Sequence, residues 1–583
     1  MPASARDPEL LPAAPLRAQA ATSVGDAGSA DSVARLKSAV ADLRRHAVVP
    51  LLQHAVQAIR EGDWRGGSRL ALQALEADEE SGLAWHLLAI CLEKTGDVAQ
   101  ALDAYETALK LNPDEVGIAN DLGRLAHRLG QCELAEKLFH HFLARQPGHV
   151  EATNNLACAQ RDMNRYGDAV DTLRGLLLIQ PEEVILWNTL ATVLSEQGDM
   201  TGSLTFFDEA LRLDPAFAKA RYNRANAVFA LGRYQEALDE MDAALPGAAP
   251  GYEHASMQVA RSNVLMALGR LGEGMDAYEA RFDASLMDAV IFVTDRPRWR
   301  PGDDLRGKRV LIVGEQGLGD EVLFANVLPD VIEAIGPEGV LHLAVEKRLV
   351  PLFQRSFPEA KVAAHRTHRV DGRTMRFMPF DDHSQIDLWS PIASLWRVWR
   401  RDAASFPARE RFLAPAPERV AHWRAQLDSA GAGRKVGLLW KSLKLDGSRA
   451  RYFSPFDQWK TVLEAEGCLF VNLQYGDCSA ELEAAAAAGL TIWNPPGIDL
   501  KDDLDDLAAL CCALDLVVGP SNATTNIAAA SGAAVWMITT PDAWPRLSTE
   551  GYPAYPQVRV FHSEAFDRWD LVLGRVAQAL AAD

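Results

Sequence analysis

Gly82-Leu-Ala-Trp85-His-Leu-Leu88-Ala89-Ile-Cys-Leu92-Glu-Lys-Thr-Gly96-Asp97-Val-Ala-Gln-Ala101-Leu-Asp-Ala-Tyr105-Glu-Thr-Ala108-Leu-Lys-Leu-Asn-Pro113 reads as two amphipathic helices joined by a turn. Trp85, Leu88, Ala89 and Leu92 share one face of the first helix. Gly96-Asp97 makes the turn, and Ala101, Tyr105 and Ala108 face back from the second helix. Small residues let the helices close, and the aromatic ring fills the space between them. The unit recurs: Pro113, Pro147, Pro181 and Pro215 stand 34 residues apart. Gly62, Gly96, Gly130, Gly198 and Gly232 keep the same beat, with Asn164 in the missing slot. Gly67, Ala101, Ala135, Ala169, Ser203 and Ala237 each follow by five. A helix–turn–helix unit at a fixed period stacks into a solenoid, and solenoids offer extended binding surfaces.

The period is that of the tetratricopeptide repeat. About seven units are expected over residues 31–283. A weaker one opens at Pro50, and the last, around Gly269 and Tyr278, is offset by three residues through an insert at Gly247–Gly251. Residues 1–30 are rich in Ala, Pro, Ser and Gly and read as a disordered leader, not a signal peptide. Asn155 and Asn223 occupy equivalent first-helix positions, where an amide ladder could bond an extended guest peptide; ordinary polar exposure is the alternative.

With 583 residues, 48% of them apolar, the chain can bury two or three cores. A net charge of −20 argues against nucleic acid as partner for the main surface. Seven cysteines, odd in number and without zinc-type spacing, fit a reducing cytoplasm, and no metal ligand set is expected. No apolar run is long enough to span a membrane.

After a linker at 284–307, short apolar runs alternate with amphipathic helices. Strands are expected at Arg309–Val313, Val340–Val345, Lys361–Ala364, Lys435–Trp440, Leu469–Leu473, Leu514–Val518 and Ala534–Ile538. The pattern makes two Rossmann-like α/β halves, 308–415 and 416–583, with a cleft between them.

Three segments could carry chemistry. Gly314-Glu-Gln-Gly-Leu-Gly-Asp320 follows a strand and opens a helix, so Gly317 and Gly319 let an acceptor approach. Asp320 or Glu315 is a candidate general base; Asp320 as a plain N-cap is the alternative. Gly519-Pro-Ser-Asn-Ala-Thr-Thr-Asn526 crowds Ser521, Asn522, Thr524, Thr525 and Asn526 onto a helix N-terminus, a seat for phosphate unless they merely cap. Lys441, Ser442, Lys444, Arg449 and Arg451 form a basic loop at a strand C-terminus, suited to a leaving phosphate unless it is only a solvated run.

Together with Tyr278-Glu-Ala-Arg-Phe282 and Ser390-Pro-Ile-Ala-Ser-Leu395, these segments resemble the GT-B glycosyltransferases, specifically the heptosyltransferase-like group fused to tetratricopeptide repeats. The architecture is also similar to that of O-GlcNAc transferase. The loop at 519–526 looks like the version in bacterial flagellin glycosyltransferases, with Pro520-Ser521 and Asn526 where many relatives carry Asp-Thr and His. The resemblance implies a cytoplasmic enzyme without a cofactor. Its C-terminal half would hold a nucleotide-sugar, a CMP-linked nonulosonic acid of pseudaminic type. Its N-terminal half would face Ser or Thr hydroxyls of flagellin held by the repeats. Two alternatives stay open: a scaffold or flagellin chaperone with a degenerate GT-B half, and a lipopolysaccharide sugar transferase.

Overall fold

A computed structural model describes residues 48–583 apart from 371, 381–382, 444–446, 567 and 583. The expected leader and Lys444 lie outside the described residues. Among those described, seven helix pairs form the N-terminal part, from 48–60 with Trp64–Ala77 to Tyr252–Ala267 with Leu271–Tyr278. The repeat period has a backbone cause. Gly62, Gly96, Gly130, Gly198 and Gly232 all have positive φ, and Asn164 takes φ 59° in its slot. Each ends a first helix in the left-handed conformation that glycine, and next best asparagine, adopts at low cost. Between helices, Ala101 and Tyr105 are fully buried, and the Tyr105 hydroxyl donates to Glu93 at 2.9 Å.

The chain divides into two compact units, with the break inside the repeat array between residues 163 and 164 and not at the linker. In the second unit the repeats are part of the α/β body. Met266, Leu271 and Met275 of the last pair share one core with Val310, Ile312 and Trp396. Phe207, Ala227 and Ala230 pack with Phe566 and Tyr452. Tyr234 donates its hydroxyl to the Pro541 carbonyl, and Gly272 N–H donates to Arg401 at 2.7 Å. The repeat array is therefore not self-contained: its last pairs bury apolar faces on the α/β body, not on further repeats. A fragment 164–583 should fold, whereas 48–283 should expose these side chains and aggregate. Expression of both with circular dichroism and gel filtration checks this; a monomeric, cooperatively melting 48–283 would refute it.

Among the described residues thirteen strands follow: β1 (Ile291–Val293), β2 (Arg309–Val313), β3 (Val340–Val345), β4 (Lys361–Ala364), β5 (Arg366–Val370), β6 (Arg373–Phe377), β7 (Leu388–Pro391), β8 (Arg434–Leu438), β9 (Cys468–Asn472), β10 (Ile492–Trp493), β11 (Leu516–Pro520), β12 (Val535–Thr539) and β13 (Arg559–His562). Two sheets are wholly parallel, in the orders β4-β3-β2-β7 and β10-β9-β8-β11-β12-β13. Their central strands are buried on both faces, as Val310–Val313 and Val535–Thr539 show, which is why they read as continuous apolar runs. A small mixed sheet, β1-β6-β5, stands beside them.

The segment 284–307 is not a loose linker. It contributes β1, buries Trp299, and pairs Trp299 N–H with the Trp389 carbonyl at 2.7 Å. The helix opened by the 314–320 segment breaks into Leu318–Phe324, a 3-10 turn at Ala325–Val327, and Leu328–Ile335. Pro329 sits in the first turn of the last piece, where its missing N–H costs nothing. Among the described residues no helix is long and apolar enough to cross a membrane.

Candidate active site

Each parallel sheet reverses its strand order once, between β2 and β7 and between β8 and β11. Ligands of open parallel sheets bind in the crevice beyond the strand C-termini at such a reversal. The loops there are the turn after β2, at 314–320, and the turns after β8 and β11, at 439–442 and 521–522. The helix Leu318–Phe324 packs on the helix Ala523–Ala530, so the first and third of these meet.

Gly319 shows how closely. A Cβ built there would stand 3.3 Å from Ala523 N and 3.5 Å from the Asn522 carbonyl carbon. Asp320 lies in the same first turn, half-buried, with Oδ2 accepting from Gly317 N–H at 3.1 Å. Burial pushes its carboxyl up to about 6. The Gly317 N–H opposes that rise, the carboxylates of Glu315 and Glu321 add to it, and Arg449 pulls back. Arg449 is exposed and makes no hydrogen bond or ion pair among the described residues, and its charge reaches the Asp320 carboxyl only through space.

Glu315 is not available as a base. It is 1% exposed and accepts from Arg281 Nε at 2.9 Å, from Arg281 Nη2 at 3.0 Å and from Ala393 N–H at 2.9 Å. Arg281 lies between the rings of Tyr278 and Phe282, 4.2 and 4.0 Å from their centroids, and also donates to Ser394. This explains the segment 278–282: it ties the last repeat to the turn after β2. Behind the turn, buried Glu321 accepts from Glu346 N–H at 2.9 Å and pairs with His365 at 3.0 Å. Gly314 must lack a side chain because a Cβ would come within 2.4 Å of Glu321 Cδ.

The 519–526 loop satisfies much of its own polarity. Asn522 Oδ1 accepts from Thr524 N–H at 2.9 Å and Thr525 N–H at 3.3 Å. Thr525 Oγ1 accepts from Asn522 N–H at 3.0 Å and donates to the Pro520 carbonyl at 2.8 Å. Asn526 donates to the Asn522 carbonyl at 2.7 Å and accepts from Tyr555 at 2.8 Å. The polar cluster is thus a capping box reinforced from both sides. Ala523 N–H and the buried Asn522 Nδ2 make no hydrogen bond among the described residues, and Ser521 Oγ is 3.3 Å from the Tyr552 hydroxyl. Thr524 is buried in the helix. Gly519 is a packing glycine, since a Cβ would stand 2.5 Å from Leu439 Cδ2.

The basic loop divides. Lys441 is ion-paired with Glu481 through its Nζ. Ser442 is half-buried at the crevice edge. Arg451 lies over the rings of Tyr452 and Phe566, at 5.2 and 4.9 Å, in the cluster that holds the repeats. Its guanidinium serves that contact and not the crevice.

The two amides expected to form a ladder differ in their surroundings. Asn223 Nδ2 donates to Asn188 Oδ1 one repeat earlier, at 3.0 Å. In the first unit the same inter-repeat spacing links His86 to Asp121 at 2.9 Å and His127 to Asp162 at 2.8 Å. Asn155 Nδ2 is buried without a partner. His127, Cys132 and Asp162 come within 4.8 Å of one another, but Asp162 is also gripped by Arg161 at 2.7 and 2.9 Å. Tyr552 and Tyr555 escaped the sequence reading because they sit in an irregular segment without periodicity.

Tetratricopeptide-repeat models match residues 82–115, 120–183, 154–216 and 188–253. The chain is 51% identical to Protein FlbA of Caulobacter vibrioides over 562 residues, which is 96% of this chain and 94% of that protein. The chain belongs to the FlbA family. Besides FlbA, Trafficking protein particle complex subunit 12 of Mus musculus is 25% identical over 30% of this chain and 19% of its own length. A solved tetratricopeptide repeat protein from Parabacteroides merdae is 18% identical, with a TM-score of 0.38, over 41% of this chain and 94% of its own.

The crevice of this FlbA-family chain depends on Gly319. For a nucleotide seated in the crevice, Gly319→Val should crowd Ala523 N–H and lower the affinity by about tenfold or more, about 1.4 kcal/mol per factor of ten. Calorimetry with CMP, alongside a melting curve to show that the fold survives, measures this. Equal affinity in both proteins would remove the crevice from consideration.

Proposed function

We propose that this FlbA-family chain is a GT-B protein O-glycosyltransferase that modifies flagellin in the cytoplasm. The repeats hold the protein acceptor. The crevice transfers a nonulosonic acid of pseudaminic type from a CMP-sugar to Ser or Thr. The observation that carries this reading is the meeting of the Gly317–Asp320 turn with the helix terminus at Asn522, across the strand reversals of two parallel sheets. An acceptor hydroxyl and a donor phosphate would be brought together there. Asp320, with its carboxyl pushed up to about 6, is poised to take the hydroxyl proton near neutral pH. Arg449 and Ala523 N–H offer positive charge and a backbone donor to the departing phosphate.

A second reading has its own support. Asn522 already occupies the Thr524 and Thr525 N–H groups, and Glu481 already neutralises Lys441. A repeat scaffold or flagellin chaperone with a degenerate crevice would look like this. Intact mass of flagellin from cells with and without the gene separates the two. Transfer predicts a lighter flagellin in the deletion, restored by the wild-type gene. An unchanged mass leaves the scaffold.

A further inference from the structure

The last repeats wall a cavity of about 320 Å³ that reaches the turn after β2. Tyr252, Ser256 and Asn263 come from one face of the helix Tyr252–Ala267, at intervals of four and seven residues. Tyr222 stands on the helix Ala218–Ala230, Tyr278 ends the last repeat, and Gln316 reaches in from the turn with φ 60°. Gln316 is four residues before Asp320. Tyr278 is near enough that the Asp320 carboxylate helps keep its phenol protonated.

The chemistry of the wall selects among ligands. Its guanidinium, Arg281, is already paired with Glu315, and Asp288 adds a carboxylate to the lining. Such a wall does not attract an anion, so it is not the seat of a nucleotide-sugar. Ser256 and Asn263 make no hydrogen bond among the described residues. A free side-chain amide offers two donors and an acceptor, the complement of a peptide group. The three tyrosines add flat, stiff contact surface at low entropic cost. The volume suits a short segment, not a folded domain.

We infer that this cavity seats an extended peptide segment of the protein acceptor, its backbone held by Asn263 and its hydroxyl-bearing side chain passing Gln316 toward Asp320. The inference rests on the transferase reading for what happens at Asp320, but the seat itself is built by the repeats.

The test uses the full chain, purified flagellin and CMP, with Asn263→Leu, which puts apolar methyl groups where the amide stood, and Asn263→Ala, which removes the amide and leaves room for water. Asn263→Leu should weaken flagellin binding by about tenfold or more, and Asn263→Ala by a smaller factor, with CMP affinity and melting temperature unchanged. Flagellin affinity within twofold of wild type for both variants would overturn the inference. So would a wild-type chain that does not bind flagellin at all, which also sinks the flagellin reading. A wild-type chain that binds flagellin in an Asn263-dependent way but never adds mass to it keeps the cavity and overturns only the transferase reading.

Discussion

Arg281→Met should destabilise the C-terminal unit by about 3–5 kcal/mol, the usual cost of removing one partner from a buried ion pair. The Glu315 carboxylate would be left 1% exposed, facing only Ala393 N–H. Glu279, which shares Arg281 with Glu315 and bonds Ser394 at 2.7 Å, would also lose a contact. Arg281→Lys should recover little, because one ammonium cannot reproduce the two parallel bonds at 2.9 and 3.0 Å and the stack between two rings. The control is Arg270→Ala. Its pair with Glu273 is exposed at 2.7 Å, and such pairs contribute little. Urea unfolding followed by tryptophan fluorescence compares the three. The whole chain need not be two-state, so the midpoint to follow is that of fragment 164–583. A midpoint for Arg281→Met equal to that of Arg270→Ala would show that the pair does not hold the last repeat to the sheet.

Asp320→Asn should lower sugar transfer by about 10²–10⁴-fold, the range for a lost general base, while flagellin still binds. In the wild type, transfer should fall as pH drops through about 6, where the carboxyl takes up its proton. The sign for stability is opposite. The folded-state value lies above the usual 3.8, so the folded protein favours the protonated acid. The associated stability is fully present below 3.8 and is lost as pH rises through about 6. Asp320→Asn should therefore melt no lower than wild type at pH 8, and a loss of transfer cannot be put down to unfolding. Intact-mass assays across pH, paired with melting curves, read both effects. Full turnover by Asp320→Asn at every pH would leave Asp320 as the third residue of its helix, bonding the Gly317 N–H that caps it, and nothing more.

The repeat array and most parallel strands were legible because they are set by local spacing. A 34-residue beat of glycine and small residues needs no distant partner to be recognised. A strand buried on both faces, such as β2 or β3, declares itself as an apolar run; both lie where the sequence placed them. β1, β7, β10 and β13 were missed, and so was the short hairpin of β5 and β6, where polar residues break the pattern. What each site residue does was not legible, because the alternatives differ only in who stands opposite. Glu315 and Asp320 are equal as carboxylates in one turn. Only the fold brings Arg281 onto the first and leaves the second beside Arg449. Lys441 and Arg451 read as one basic loop until Glu481 takes one and two aromatic rings take the other. The same holds for the boundary at 283. By itself the sequence determined the period, the apolar faces and the strand–helix alternation, all of which depend on neighbours within one turn of chain. Tertiary structure alone decided which apolar faces of the late repeats meet a sheet and which charges are spent on structure, because burial and pairing are properties of residues far apart in the chain.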